Sequence, residues 1–347
     1  MRILVTGGAG MVGSHSAEFF AQDNKKNKVI VLDNLMRSKI FGYDKGSVEY
    51  NWNYLKKFKN IKLIRGDVRN DKDVARAIGK GVDVIIHTAG QPGVPSSVRM
   101  PKEDFSINAF GTLNVLERAR QKSKDTVVIY CSTNKVYGEN VDKISLLEKE
   151  SRYVYKDVAG VSESMSTDLT GHTPYGVSKL VGDLYVQEYS HIYKMKTAVF
   201  RMSCTYGTRQ FGFEDQGWVA WFIIATLFNR PITIYGNGKQ VRDMLYVDDL
   251  VDAYNCFING KMERGLFNIG GGPANTISLL EFLDALEKLT GKKPKVRFSD
   301  WRPSDQKVYV TDTSKLENAL GWRTKTNVSH GINKLYDWIK DNKNFFV

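Results

Sequence analysis

Cysteine is scarce: Cys131, Cys204 and Cys256 are scattered through 347 residues with no CxxC or Cys/His spacing. That set excludes a disulfide framework, offers no ligand spacing for zinc or another metal, and suits a reducing compartment. Long apolar runs are missing as well. The longest, WVAWFIIATLF from Trp218, is too short to span a bilayer, and no N-terminal segment has the apolar length or flanks of a signal peptide. The expectation is a cytoplasmic protein without a membrane partner. Internal repeats and low-complexity tracts are also absent, so the chain reads as globular throughout.

What is present is enough apolar residue, 42% of the chain, for one large or two intimately joined domains. Fifty Lys and Arg against 38 Asp and Glu give a formal charge of +12, which favours anionic partners. The lysines of KKNK (25–28) and LKKFKN (55–60) lack the aromatic interleaving of a nucleic-acid platform and read as solvated turns and helix ends. Phosphorylated small molecules are the anions left, and nucleic acid is not expected.

The first half alternates short β-branched runs with amphipathic stretches, the pattern of parallel strands joined by crossover helices. Strands are predicted near Arg2–Thr6, Lys28–Asp33, Ile61–Arg65, Val82–His87, Thr126–Ser132 and Thr197–Arg201, with long helices from Glu103 to about Gln121 and from Tyr175 to about Tyr193. From Tyr206 the pattern loosens into loops, a YGNGK turn and a terminal amphipathic helix ending near Lys340. The predicted class is α/β: a Rossmann doubly wound parallel sheet with a smaller C-terminal substrate-binding lobe. The expected boundaries are 1–205 for the nucleotide domain, with 240–270 returning to it, and 206–239 plus 271–347 for the lobe.

RILVTGGAGMVGSH sets Gly7, Gly10 and Gly13 directly after a strand and at a helix start. The first permits a tight turn, the second lets backbone N–H groups approach a pyrophosphate, and the third lets the helix pack on the sheet. Asp33 ends the second strand, where a carboxylate accepts hydrogen bonds from an adenosine ribose and repels a 2′-phosphate. NAD is therefore expected rather than NADP, despite Arg37 nearby. Asp67 is placed to reach the adenine, and His87–Gly90 to run beside the cofactor, with His87 itself a packed residue.

TPYGVSK carries Tyr175 and Lys179 one helical turn apart, on one face. An ammonium beside a phenol, together with a cationic nicotinamide, is expected to lower the phenol's pKa and make it a base toward a sugar hydroxyl. Two further Tyr-x-x-x-Lys pairs, Tyr235/Lys239 and Tyr336/Lys340, fall in a glycine turn and in the terminal helix, and carry no such role. Thr133, at the end of the fifth strand in CSTNKVYG, is expected to bridge Tyr175 and the reacting oxygen.

These segments, together with the SINAFGTLNVLERAR helix, GNGKQVRDMLYVDDL, FNIGG and RPSDQKVYVTD, resemble the extended short-chain dehydrogenase/reductase superfamily of sugar-nucleotide epimerases and dehydratases over essentially the whole chain. STNKVYG, SESMSTDLTGHTPYGVSK and TYGTRQFGFEDQGWVAWF look most like its branch acting at C2 of CDP-dideoxyhexoses, enzymes of O-antigen carbohydrate synthesis. The resemblance implies an NAD-dependent isomerase. It extends the cofactor set to Met11, Val12, Asn34, Val68, Thr88 and Ala89. It implies Arg242 and Arg302 on the substrate diphosphate, Arg209, Gln210 and Lys239 along the nucleotide-sugar pocket, and Gln91 and Asn108 as further substrate contacts. Arginine suits the diphosphate because its planar fork matches phosphate oxygens. It also implies a homodimer or homotetramer, with the two long helices as the contact.

Two departures stand out. Cys204 of MSCTYG occupies a place where many relatives have asparagine, and Asn134 and Lys135 follow Thr133 where dehydratases carry an Asp-Glu pair. Without those carboxylates the chain is expected to oxidise and reduce without eliminating water. The alternatives kept open are a UDP-sugar 4-epimerase and a non-catalytic nucleotide- or RNA-binding member of the fold.

Overall fold

The computed structural model describes residues 1–37, 46–302 and 305–346; Pro303 and Ser304 of the RPSDQKVYVTD segment lie outside the described residues. Along the chain run β1 (Arg2–Thr6), α1 (Met11–Asp23), β2 (Lys28–Asp33), α2 (Gly46–Leu55), β3 (Ile61–Arg65), α3 (Asp71–Ile78), β4 (Val84–His87), α4 (Val94–Arg99) and α5 (Pro101–Phe105). A π-type turn, Ser106–Phe110, joins α5 to α6 (Gly111–Lys122), and β5 (Val127–Thr133) follows. Next come β6 (Leu146–Glu148), β7 (Tyr153–Tyr155), α7 (Thr173–Tyr193), β8 (Thr197–Met202), β9 (Cys204–Tyr206), α8 (Trp218–Leu227), β10 (Ile232–Tyr235), β11 (Val241–Tyr246) and α9 (Val247–Asn259). The chain closes with β12 (Arg264–Ile269), β13 (Thr276–Ser278), α10 (Leu279–Thr290), β14 (Val296–Ser299), β15 (Val308–Tyr309), α11 (Ser314–Leu320) and α12 (Val328–Asp341).

Two compact units emerge. The first comprises residues 1–136, 173–201 and 251–267. Its seven-stranded sheet has the order β12-β8-β5-β4-β1-β2-β3, and the pairs β1–β2, β2–β3, β1–β4 and β4–β5 are parallel. Strands outward in both directions from β1 are the Rossmann arrangement, with its crevice at the carboxyl ends of the strands. Register places Thr6 opposite His87 and His87 opposite Tyr130, so β1 and β4 end level while β5 runs on past them to Thr133. Ile3, Val5, Val31, Ile85 and Ile129 are buried, as continuous β-branched and aliphatic strands covered on both faces must be.

The second unit comprises 137–172, 202–250 and 268–347. Here β11 is central, parallel to β9 and β15 and antiparallel to β13; β10 pairs with β14, and β6 with β7. The apolar run from Trp218 is the ten-residue helix α8, buried at Val219, Phe222, Ile223 and Ile224 and capped by a ring cluster of Trp218, Phe222 and Phe282. No helix among the described residues is long and apolar enough to cross a membrane.

The grouping differs from the expected boundaries in four segments, 137–172, 202–205, 240–250 and 268–270, all of which fall in the second unit. Residues 137–172 belong with the second unit because the β6–β7 hairpin bonds there, Tyr153 N donating to Lys239 O at 2.9 Å and Val161 N to Val310 O at 2.7 Å. Residues 240–250 stay there too, since β11 is that unit's central strand; the return to the first unit begins at Val251.

Candidate active site

At the end of β1 the chain turns through Gly7 at φ +71°, a conformation glycine adopts without steric cost. A Cβ on Gly7 would lie 2.6 Å from the Ala89 backbone, and one on Gly13 would lie 2.3 Å from Gly7 O. Both glycines are thus required by contact with main chain that cannot retreat. Gly10 caps α1 without any side-chain hydrogen bond, so the first-turn N–H groups around Met11 and Val12 keep their donors for a ligand. The Asp33 carboxylate ties this loop to β2: Oδ2 accepts from Ala9 N at 2.9 Å and Oδ1 from Leu35 N at 2.8 Å. Burial raises its pKa and those two N–H groups oppose the rise. Each oxygen retains a lone pair for a ribose hydroxyl.

The other candidate cofactor residues surround this loop. Asn34 Nδ2 donates to Asp67 Oδ2 at 2.9 Å, and Arg69 grips the same carboxylate through Nε at 3.0 Å and Nη2 at 2.7 Å. Burial opposes that charge, but the Arg69 fork holds the carboxyl below its usual range. The Asp67 carboxylate is therefore committed to Arg69 and Asn34. Val68 is buried against Gly111. Thr88 Oγ1 donates to Thr6 O at 2.6 Å and Ala89 N to Thr6 Oγ1 at 3.3 Å, which fixes the strand end beside Gly7. His87 is a packed residue, held between Thr6 Oγ1 at 2.6 Å and Thr112 Oγ1 at 2.9 Å, and burial drives its pKa down to about 3.

Thr133, Tyr175 and Lys179 come together in the first unit. Thr133 ends β5, Tyr175 opens α7 with its N–H donating to Ser97 Oγ at 3.1 Å, and a hydrogen bond joins the Thr133 and Tyr175 side chains. Lys179 is buried and sets Nζ 4.1 Å from the centroid of the Tyr130 ring. The electrostatics differ from expectation. Burial pushes the Tyr175 phenol up to about 12 despite the Thr133 hydrogen bond, and burial pulls Lys179 down to about 8. Desolvation outweighs the Thr133 hydrogen bond, and the charges of Asp104 and Cys131 add to the rise.

Asn134 Oδ1 accepts from Thr133 Oγ1 at 3.4 Å and Lys135 N donates to it at 3.3 Å, so the segment after Thr133 locally orients the hydroxyl without adding a carboxylate.

Gln91 and Asn108 are placed in the interior, engaged with protein. Asn108 Oδ1 accepts from Gln91 N at 2.8 Å, while its Nδ2 faces Gln91 O, Asp104 Oδ1 and Ser178 Oγ at 3.0–3.1 Å. Gln91 Nε2 reaches Gly93 O at 2.9 Å and Asp104 Oδ1 at 3.2 Å. The sequence reading missed Asp104, which sits one helical turn before Asn108.

The remaining candidates lie in the second unit. Arg242 and Arg302 line one cavity of about 200 Å³ with Trp218, Tyr235 and Gln240. Each is already paired, Arg242 Nη2 with Asp305 Oδ1 at 2.8 Å and Arg302 Nη2 with Asp215 Oδ1 at 3.0 Å, and the Arg302 guanidinium lies 3.8 Å from the Tyr235 ring centroid. Arg209 and Gln210 are buried and do not line it; Gln210 stands behind Gly217, which does. Lys239 is outside the lining and pairs with Glu148 at 2.7 Å. Cys204, on β9, is pushed up to about 12 by burial, so it is a neutral thiol that hydrogen-bonds the Trp218 side chain.

A Rossmann sheet, a glycine cradle and a Thr-Tyr-Lys constellation at its strand ends define a nucleotide-dependent oxidoreductase-type site. The chain belongs to the NAD dependent epimerase/dehydratase family, whose model matches residues 3–270. It is 41% identical to the CDP-paratose 2-epimerase of Salmonella typhi, over 97% of this chain and 99% of that one. It is 33% identical to a putative UDP-glucose 4-epimerase of Methanocaldococcus jannaschii, over 98% and 99%. Among solved structures, the UDP-glucuronic acid 4-epimerase of Bacillus cereus in complex with UDP-glucuronic acid and NAD superimposes with a TM-score of 0.83 at 28% identity, covering 99% of this chain and all of that one. NAD is the cofactor of the family, and the uncapped α1 N-terminus with Asp33 fits it.

Proposed function

We propose that the protein is a nucleotide-sugar epimerase that inverts C2 of a CDP-dideoxyhexose, CDP-paratose to CDP-tyvelose, through transient oxidation to a ketone. The observation that carries this reading is the 41% identity, over nearly the full length of both chains, to a CDP-paratose 2-epimerase. Gly7, Gly10, Gly13 and Asp33 hold NAD, which supplies the acceptor and later the donor of hydride. Tyr175 takes the proton of the C2 hydroxyl, Lys179 stabilises the resulting charge and holds the nicotinamide ribose, and Thr133 orients the hydroxyl. Arg242 and Arg302 exchange their aspartate partners for the substrate diphosphate. Asn134 and Lys135 leave no acid-base pair beside Thr133 for eliminating water.

A second reading, epimerisation at C4 of a UDP-sugar, is favoured by the relatives that carry that name. Incubating the protein with CDP-, UDP- and dTDP-sugars and following product stereochemistry by NMR separates the two. Inversion at C2 of the CDP-dideoxyhexose alone supports the first; inversion at C4 of a UDP-sugar replaces it.

A homodimer is part of the proposal. Val98, Phe105, Phe110, Val177, Leu184 and Ile192 expose apolar side chains along α4, α5, the π-type turn and α7, a surface suited to a second copy of this chain. Light scattering is expected to give twice the chain mass, and a monomer would remove that assignment. A cytoplasmic setting, which suits three free and scattered cysteines, completes the reading.

A further inference from the structure

Two buried ion-bearing groups stand on α7, one turn apart, in unlike circumstances. Asp183 accepts from Arg201 Nε at 2.9 Å and Nη2 at 3.3 Å, from Ser132 Oγ at 2.8 Å and from Gln187 Nε2 at 2.6 Å, a saturated pair. Among the described residues Lys179 has only the Tyr130 ring face as a close partner, with no carboxylate oxygen within ion-pair distance. A buried ammonium without a counter-charge is costly, and so is a buried carboxylate without a donor.

Asp104, on α5, is a buried carboxylate with one oxygen short of a donor among the described residues. It is 1% exposed, and Oδ1 accepts from Gln91 and Asn108 while Oδ2 has no hydrogen-bond partner among the described residues. The Asn108 Nδ2 that touches Asp104 also touches Ser178 Oγ, whose hydroxyl donates to Tyr175 O at 3.1 Å. Asn108 Oδ1 and Lys179 Nζ both border Gly90, at 3.0 and 4.0 Å from where a Cβ there would be. Amide and ammonium thus border one glycine.

We propose that Asp104 is a positioning residue for the Tyr175/Lys179 pair: its carboxylate is the counter-charge of the Lys179 ammonium, and its bridge through Asn108 and Ser178 fixes the first turn of α7. The other groups facing the pair come from β4, β5 and α7. His87 on β4 is neutral, its pKa driven down by burial, and Cys131 and Tyr130 on β5 are neutral, theirs driven up by burial. On α7 itself Tyr175 is a neutral phenol, and Asp183 is paired with Arg201. Asp183 and Asp104 both favour the Lys179 ammonium, Asp183 the more strongly; Asp183 is paired with Arg201, and Asp104 is the carboxylate that keeps an oxygen without a hydrogen-bond partner among the described residues. Burial raises its pKa, and the Ser178 hydroxyl and the Lys179 charge oppose that rise.

The proposal rests on Tyr175 and Lys179 acting as the acid-base pair, and its test separates the two ideas. Removing a negative charge lowers the pKa of both neighbours. Asp104→Asn is therefore expected to move both limbs of the pH profile of kcat/KM to lower pH by about one unit or more. Asp104→Glu, which keeps the charge, restores them toward their original positions. A loss of amplitude with unmoved limbs in Asp104→Asn means a merely structural aspartate and overturns the proposal. A readout independent of turnover is 13Cε-lysine NMR of the wild-type protein, with the Lys179 signal assigned by its disappearance in Lys179→Met. An ammonium signal at pH 7 that titrates near pH 8 in the wild type and lower in Asp104→Asn supports the counter-charge. A neutral Lys179 at pH 7 overturns it, even if Asp104→Asn does not fold. If Tyr175→Phe retains activity, the acid-base reading itself falls, whatever the NMR titration shows.

Discussion

Tyr175 and Lys179 pull against their own burial, and that opposition makes separable predictions. Tyr175→Phe keeps the ring and its packing but removes the proposed proton acceptor. Turnover is expected to fall by roughly 10² or more with NAD affinity nearly unchanged, measured by steady-state kinetics and calorimetry. Activity within about threefold of the original would assign the base elsewhere. Lys179→Met is expected to lower turnover and NAD affinity together, yet to raise the melting temperature of the cofactor-free protein by a few degrees. The sign follows from the depressed pKa. Below pH 8 folded and unfolded chains both carry the charge, and the folded one bears the full desolvation cost, about 3 kcal/mol for a drop from 10.5 to about 8. Between pH 8 and 10.5 the unfolded chain binds the extra proton, so the cost fades as pH rises, and the gap between the two proteins should close across that window. A melting temperature for Lys179→Met at or below the original at pH 7 would show that the lysine is not strained.

At the scale of elements, the turn from β1 into α1 carries a prediction of its own. Gly13→Ala sets a methyl within 2.3 Å of Gly7 O and 2.7 Å of Gly8 Cα, atoms that cannot rotate away. The helix must shift from the sheet, and NAD retention after gel filtration is expected to be lost while the far-ultraviolet circular dichroism stays close to the original. Undiminished NAD retention would mean that this close approach does not shape the cofactor cradle. The placement of these glycines, and of the pair at positions 175 and 179, was legible in the sequence because it is local: strand, tight turn, helix start, one helical turn. Strands β1, β2 and β3 likewise matched their hydrophobic runs to the residue. The long helix read as continuous from Glu103 was not; it contains the π-type turn Ser106–Phe110 that aims Asn108 inward, and nothing in SINAF announces an extra residue per turn. The partners of the pocket arginines were invisible for another reason. Asp305 lies 63 residues from Arg242, and Asp215 lies 87 residues from Arg302, so only tertiary packing brings them together.

For the whole molecule the question is how the sugar inverts. Proton exchange at carbon needs a base aimed at C–H, and the segment after Thr133 supplies no carboxylate for it. Hydride removal and return needs only a retained cofactor and one proton acceptor. Substrate deuterated at C2 is therefore expected to keep its label in the epimerised product in ordinary water, and unlabelled substrate in heavy water to gain none at C2. Washout of label, or solvent deuterium at C2, would replace the hydride route by a carbon-acid mechanism.

The cavity around Tyr235 carries one more implication. Its two guanidinium groups arrive already neutralised by Asp215 and Asp305, and Glu214 adds a third carboxylate to the lining, so its formal charge is negative although the chain as a whole carries +12. A phosphoryl ligand entering there swaps one anion for another, and the net gain of each new contact is the small difference between two strong ones. For a freely reversible isomerisation such thrift is useful: reactant and product differ at one stereocentre, and a site that clung to either would stall with it.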